Sequence, residues 1–343
     1  MTRFNKYGFP WCHNLQRIFR FVQFGTMVMN GRRAPPPGPG EPVIDPNFAM
    51  IKLMCVQLLF TEENLVATPW AFDECQKAVY QSKETEPLYH GRMANEVNMA
   101  WTLHCMTFFR YYIHDKHASG LPSNMKSLCS WERPSHWEGP LKYGRPTLNR
   151  YWKGIYAQLE DRDLDLIRRV SAPGIRTFGN VEPFTDQHIV DGNILDLRLH
   201  FPAKGSFQWP DEFENLLRSR RKTVDTEDPG DQNEEKTFFT GKGVDEGREF
   251  FLCGVLTPLP KQLGIPGWKR IKFVRRNEIP PSPTALWDLW SYEGVVLPGG
   301  RIILGRWWYA VYGGLVDEQT GPFMFWAVDG FDLTEDDDDT DLE

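Results

Sequence analysis

No stretch of the chain approaches the run of about 20 apolar residues that a membrane-crossing helix needs, so a soluble protein is expected. Paired cysteines are also missing. Cys12, Cys55, Cys75, Cys105, Cys129 and Cys253 are scattered, with no Cys-x-x-Cys spacing, which excludes the common zinc sites and is too sparse for a disulfide scaffold in 343 residues. Isolated thiols in apolar surroundings fit a reducing compartment, and a cytoplasmic or nuclear location is expected. There is no Gly-x-Ser-x-Gly elbow, no Gly-x-x-x-x-Gly-Lys-[Ser/Thr] loop and no Gly-x-Gly-x-x-Gly between a strand and a helix, so no catalytic residue and no cofactor is assigned.

Charge is scarce too, once its distribution is considered. The net charge is -7, but residues 332–343 (DLTEDDDDTDLE) hold eight acidic side chains and no basic one, which leaves residues 1–331 at +1. A near-neutral body gives nucleic acid little to bind. The acidic tail repels itself and reads as extended and solvated. Aromatic residues, by contrast, are plentiful: 14% of the chain, with 13 Trp and 23 Phe. Such a composition excludes a largely disordered chain, because it can bury enough surface to offset the entropy of ordering.

The punctuation divides the chain at residues 1–44, 45–149, 150–330 and 331–343. The first part holds six cations and no acid in residues 1–40, which matches a transit peptide, while Pro10 and Gly25 interrupt any long helix there. It ends in a stiff Pro/Gly linker around 33–42. Asp45-Pro46 and Thr68-Pro69 are helix starts, an acceptor followed by proline at the first helical position. They predict helices to about Phe60 and Gln81, and apolar spacing predicts a third over Ala94–Ile113. From residue 150 the pattern changes. Strands are predicted at 151–156, 194–201, 237–241, 248–256, 269–276, 288–296, 301–309 and 322–328, with a short charged helix or loop at 160–169 and a charged loop at 219–236. Turns are assigned to Gly241-Lys-Gly243, Pro258-Leu-Pro260, Pro266-Gly267 and Pro298-Gly-Gly300. Connections this short make neighbours antiparallel, and about eight such strands can close. The expected class is α+β: a helical N-terminal lobe plus a C-terminal antiparallel β-barrel or strongly curved sheet of about eight strands.

The densest signature is Ser291–Trp308 (SYEGVVLPGGRIILGRWW) followed by Gly321–Trp326, preceded by Phe239–Asp245, Gly264–Arg270 and Trp152–Tyr156. In this order the motifs resemble a large, poorly characterised fungal group known mostly as F-box domain proteins, in the barrel-like region that follows the F-box. The resemblance covers about residues 150–330. It implies a protein- or peptide-binding module, a substrate receptor of a ubiquitin ligase, with a Skp1-type adaptor and a substrate protein as partners. No F-box, a segment of short leucine-spaced helices opened by Leu-Pro, is recognised in residues 1–149. The alternative kept open is a small-molecule-binding barrel enzyme of isomerase or cyclase type.

Within the signature, Glu293 is expected to pair across the hairpin with Arg301 or Arg306, which point to opposite faces. Trp307 and Trp308 put one indole on each face. With Trp290 these residues form the binding candidates, because indoles and guanidiniums dominate interaction hot spots. His114 and His117, with His104 upstream, invite a metal reading, but there is no His-Glu-x-x-His, and a helix C-terminus attracts basic residues anyway. No metal is assigned. The basic run 218–222 reads as part of the charged loop.

Overall fold

A computed structural model describes residues 14, 17, 44–58, 69–80, 88–91, 95–114, 120–137, 141, 148–170, 184, 189, 191–203, 236–277, 289–310 and 319–329. The acidic tail, the basic run 218–222, His117, Trp287, and nearly all of the N-terminal segment and the charged loop lie outside these residues. Among the described residues the helices are α1 (Pro46–Leu58), α2 (Pro69–Tyr80), α3 (Met99–His114), α4 (Gly120–Ser127) and α5 (Asp161–Val170). A two-stranded ribbon pairs β1 (Tyr89–His90) with β2 (Glu96–Val97). The remaining strands are β3 (Tyr151–Tyr156), β4 (Leu195–His200), β5 (Thr237–Asp245), β6 (Arg248–Pro258), β7 (Lys269–Asn277), β8 (Leu289–Val296), β9 (Ile302–Tyr309) and β10 (Thr320–Ala327).

The expected class holds: helices, then a closed antiparallel barrel of eight strands in sequence order, with β10 pairing back onto β3. Closure leaves no strand with a row of unpaired amides, which removes the edge that would otherwise template aggregation. The clearest strand signal in the sequence behaves as alternation requires. Leu195, Leu197 and Leu199 are buried, while Asp196, Arg198 and His200 are exposed.

The barrel wall separates two cores. Inside lie Trp152, the three leucines of β4, Phe239, Phe250, Phe273, Tyr292, Trp307, Phe323 and Phe325, with Phe273 and Tyr292 stacked at 4.4 Å. Outside, Ile155, Val295, Ile302, Leu304, Met324 and Trp326 turn away from the lumen and join the helices in a second core. The predicted apolar face of α3 supplies that contact: Met99, Leu103, Met106, Phe108, Phe109 and Tyr112 are all buried. At its start α1 is capped as expected, the Phe48 amide donating to Asp45 Oδ1 at 2.9 Å.

Two local expectations need correction. The third helix begins at Met99 rather than Ala94, because Asn98 caps it by accepting from the Trp101 amide at 3.1 Å. The preceding backbone is drawn into the ribbon and pinned by Gln262, which takes the Val97 amide at 3.0 Å and donates to the Asn95 carbonyl at 2.9 Å. Beyond the end of α3 at His114, Gly120 and Pro122 open α4. Its Leu121-Pro122 pair leads into turns at 129–133 rather than a series of helices. Gly241-Lys-Gly243 is not a turn but the middle of β5, and the chain reverses later, at Glu246-Gly247. Both glycines face the lumen in a tight place: a Cβ on Gly243 would lie 2.3 Å from the Asp196 carbonyl oxygen and 2.4 Å from the Phe250 ring. Pro298-Gly-Gly300 is the expected hairpin turn, with Gly299 and Gly300 at φ 94 and 68°.

Candidate functional site

Inward-facing positions on β3, β5, β7 and β8 bring polar groups to one end of the lumen. Asp245 ends β5 just before its turn, and Arg275 lies on β7 two residues beyond Phe273, hence on the same face. Arg275 Nη2 lies 2.8 Å from Asp245 Oδ2, and both residues are more than nine-tenths buried. The Tyr156 hydroxyl donates to the same Oδ2 at 3.2 Å. Arg275 also donates from Nε and Nη2 to Asn277 Oδ1 at 3.3 and 3.1 Å, and its guanidinium carbon lies 4.1 Å from the centroid of the Phe250 ring. Burial opposes the guanidinium charge, but Tyr292 and Asp245 more than offset it, and Arg275 is held cationic. Burial, then the Asp245 charge, raises the Tyr156 phenol, and burial raises Tyr292, so both stay protonated at neutral pH. One lone acceptor remains. Asp245 Oδ1 is buried without a hydrogen-bond partner, a state that usually costs about 1–3 kcal/mol or more for a charged group.

The other half of this mouth is aromatic. Trp290 stands directly opposite Arg275 in the β7–β8 register. Its ring meets Trp307 at 5.2 Å and Tyr309 at 5.0 Å, both at steep angles, and Trp307 reaches Tyr156 at 6.0 Å. Trp307 is fully buried and donates to the Ala157 carbonyl at 3.1 Å, whereas Trp290 and Tyr309 are half-buried and form the rim. Below them the stacked Phe273 and Tyr292, with Phe323 and Phe325, fill the lumen. The arrangement presents the half-buried rings of Trp290 and Tyr309 beside a buried, unpartnered carboxylate oxygen.

No protein-family model, curated protein or solved structure matches this chain. The site therefore stands on its own geometry.

Of the sequence candidates, Trp290 and Trp307 belong to this mouth, and the others lie elsewhere. Trp308 faces outward and packs on Val274, Leu289 and Ala310. Glu293 is buried on the outer face of β8. It pairs with cations on β7, Arg270 at 2.8 Å and Lys272 at 3.9 Å. Arg306 is opposite Glu293 in register, and its Nε donates to Thr320 Oγ1 at 2.7 Å. Arg301 precedes β9 and clamps Asp329 through two nitrogens, each at 2.6 Å, while also reaching Ser135 and the Ala327 carbonyl. It fastens the last described residues to the barrel.

The residues that the sequence reading missed are Asp245, Arg275, Tyr156 and Asn277. Arg275 was embedded in the alternating charges of Lys269–Arg276, and Asp245 followed an assumed turn. The available signal was strand parity, since each shares a face with a lumen aromatic. In the helical lobe, Cys75 Sγ lies 3.3 Å from His104 Nδ1. Burial, and then Lys52, lowers His104 to about 4, while burial pushes the Cys75 thiol upward. Both are neutral at pH 7, and the pair is a packed hydrogen bond rather than an activated nucleophile.

Proposed function

We propose that this protein is a non-catalytic binding protein that takes a small, flat, hydrogen-bond-donating molecule at the mouth of its barrel. The observation that carries the reading is the unpartnered, buried Asp245 Oδ1 beside the half-buried indole of Trp290. A donor on the ligand satisfies that oxygen, and the Asp245–Arg275 pair is already balanced, so the ligand itself is neutral. An eight-stranded barrel is just wide enough to be filled by side chains or to hold one small ligand; this lumen is filled, so the ligand is placed at its aromatic rim. Burial keeps Tyr156 and Tyr292 protonated at neutral pH, and the Tyr156 hydroxyl donates to Asp245, so neither phenol is poised as a base, which suits a binding site.

The test is native mass spectrometry of the full chain purified from a native host. A retained small molecule is expected, and it should be lost from a Trp290→Ala variant whose melting temperature stays within a few degrees of the parent. A parent that carries no molecule, and whose tryptophan emission responds to none of a panel of aromatic N–H and O–H donors, would overturn the reading. The substrate-receptor role rests on the resemblance of residues 150–330. Recovery of a Skp1-type adaptor with a substrate protein, and of no small molecule, would put that role in its place.

A further inference from the structure

The barrel wall away from the helices carries a row of side chains that the mouth does not use. The Val328 amide donates to the Tyr151 carbonyl at 3.0 Å, which continues the sheet one residue beyond β10. From Tyr151 the register runs outward-facing position by position to Arg198, Lys242, Phe251 and Arg276. The last four are exposed, Phe251 at 37%, an unusual place for a phenylalanine. The Arg198 guanidinium carbon lies 5.6 Å from the centroid of the Tyr151 ring. On one side the row is flanked by Asp196, which is held by Lys153 at 2.6 Å, then Val244 and Glu249. On the other it is flanked by His200, Thr240, Cys253 and Val274, none of them acidic. Three cations and an exposed ring thus form one line on a nearly neutral protein.

We propose that this row is a docking surface for the chain's own acidic C-terminal segment, residues 332–343. Two observations select that occupant. First, charge: the segment holds eight carboxylates and no cation, and they repel one another unless cations face them. Second, position: the chain leaves the barrel at Val328, in the sheet beside Tyr151 where the row begins, and Asp329 is anchored on the β9 side of that exit by Arg301 at 2.6 Å. From Val328 to Arg276 is five strand-to-strand steps, about 24 Å at ~4.8 Å each. An extended chain advances about 3.3 Å per residue, so the eight to eleven residues from Val328 to Asp336–Asp339 span the row with slack. Tethering at that point gives the segment an effective concentration on the order of 1 mM, so even a contact with a Kd of about 100 µM is occupied roughly ten to one. Phe251 lies between Lys242 and Arg276 and gains cover from whatever backbone crosses it.

The test uses the full-length chain in two forms, the parent and one with Asp336, Asp337, Asp338 and Asp339 all changed to Asn. The probe is a fluorescein-labelled peptide of residues 331–343, followed by anisotropy at 50 mM salt. The neutralised chain should bind the peptide about tenfold more tightly than the parent, whose own segment competes. Raising salt to 500 mM should abolish the difference, because exposed charge pairs are screened. Arg198→Glu, Lys242→Glu and Arg276→Glu, introduced together into the neutralised chain, should remove binding. If that triple variant does not melt like its parent, the milder Lys242→Gln, Arg276→Gln pair should still weaken binding several-fold. Equal peptide binding by parent and neutralised chains, no binding by either, or binding that survives the charge changes would overturn the proposal. So would a single-stranded oligonucleotide that binds the parent as tightly as the neutralised chain, since the row would then belong to nucleic acid.

Discussion

Arg275 and Asp245 hold each other inside the lumen at 2.8 Å, and each depends on the other for its charge to be tolerable there. Removing one member of a buried pair strands the other, which typically costs about 3–5 kcal/mol, whereas replacing both with apolar groups is often close to neutral. Asp245→Ala is therefore expected to lose about 3–5 kcal/mol in urea unfolding, and Asp245→Leu with Arg275→Met to recover most of it. A double variant as unstable as the single one would show that Tyr156 and Asn277, rather than the charge pair, set the stability of the mouth. The same pair marks where the sequence was hardest to read. A cation in a strand of alternating charges looks solvated, and only the parity linking Arg275 to Phe273 and Ile271 turns it inward. Trp290 and Trp307 were legible as binding candidates because they are large and amphipathic. Glu293 was legible as a paired residue, but a strand has two neighbours, and local pattern did not show that Arg270 on β7 also holds it.

At the scale of elements, the strands were legible because alternation and short connections act locally, and the barrel follows from their number. What local signals could not show is where glycine serves close packing instead of turning. In β5, Gly241 and Gly243 let the backbone of β4 and the Leu252 and Phe250 side chains of β6 approach, whereas the actual reversal is at Glu246-Gly247. Gly243→Val is expected to cost at least about 1–3 kcal/mol, the range for forcing atoms into a packed interior, because the obstructing Asp196 carbonyl belongs to the backbone. Gly247 has φ 75° and open space around its Cα, so Gly247→Asn meets backbone strain alone, which Asn tolerates better than most residues, and should cost less than Gly243→Val. Chemical denaturation of the two variants side by side checks the assignment. A Gly243→Val that is tolerated would return the turn to 241–243.

For the whole molecule, the change of pattern near residue 150 separates two kinds of element, but the outer of the two cores spans it. The strands that face the helices, β3, β8, β9 and β10, are buried on both faces over most of their length, like strands covered on both sides, while β4 alternates because its outer face meets water. Ile155, Val295, Ile302, Leu304, Met324 and Trp326 are each 3% exposed or less, and they lie in one core with α1, α2 and α3. Tyr89 adds a polar tie: its hydroxyl donates to the Gly294 carbonyl at 2.7 Å, and Arg270 lies over its ring at 4.2 Å. Burying an aliphatic or aromatic side chain of this size contributes about 1.5–3 kcal/mol, so uncovering six of them would cost most of the stability of an ordinary domain. A fragment starting at Pro146 should accordingly be insoluble, or bind a hydrophobic dye such as ANS strongly. The intact chain should unfold in a single transition, with helix and barrel signals changing together. Far-UV circular dichroism reads the helices and near-UV circular dichroism reads the lumen aromatics. Two midpoints separated in urea, together with a soluble fragment that keeps its near-UV spectrum, would show instead that the barrel stands without the helical lobe.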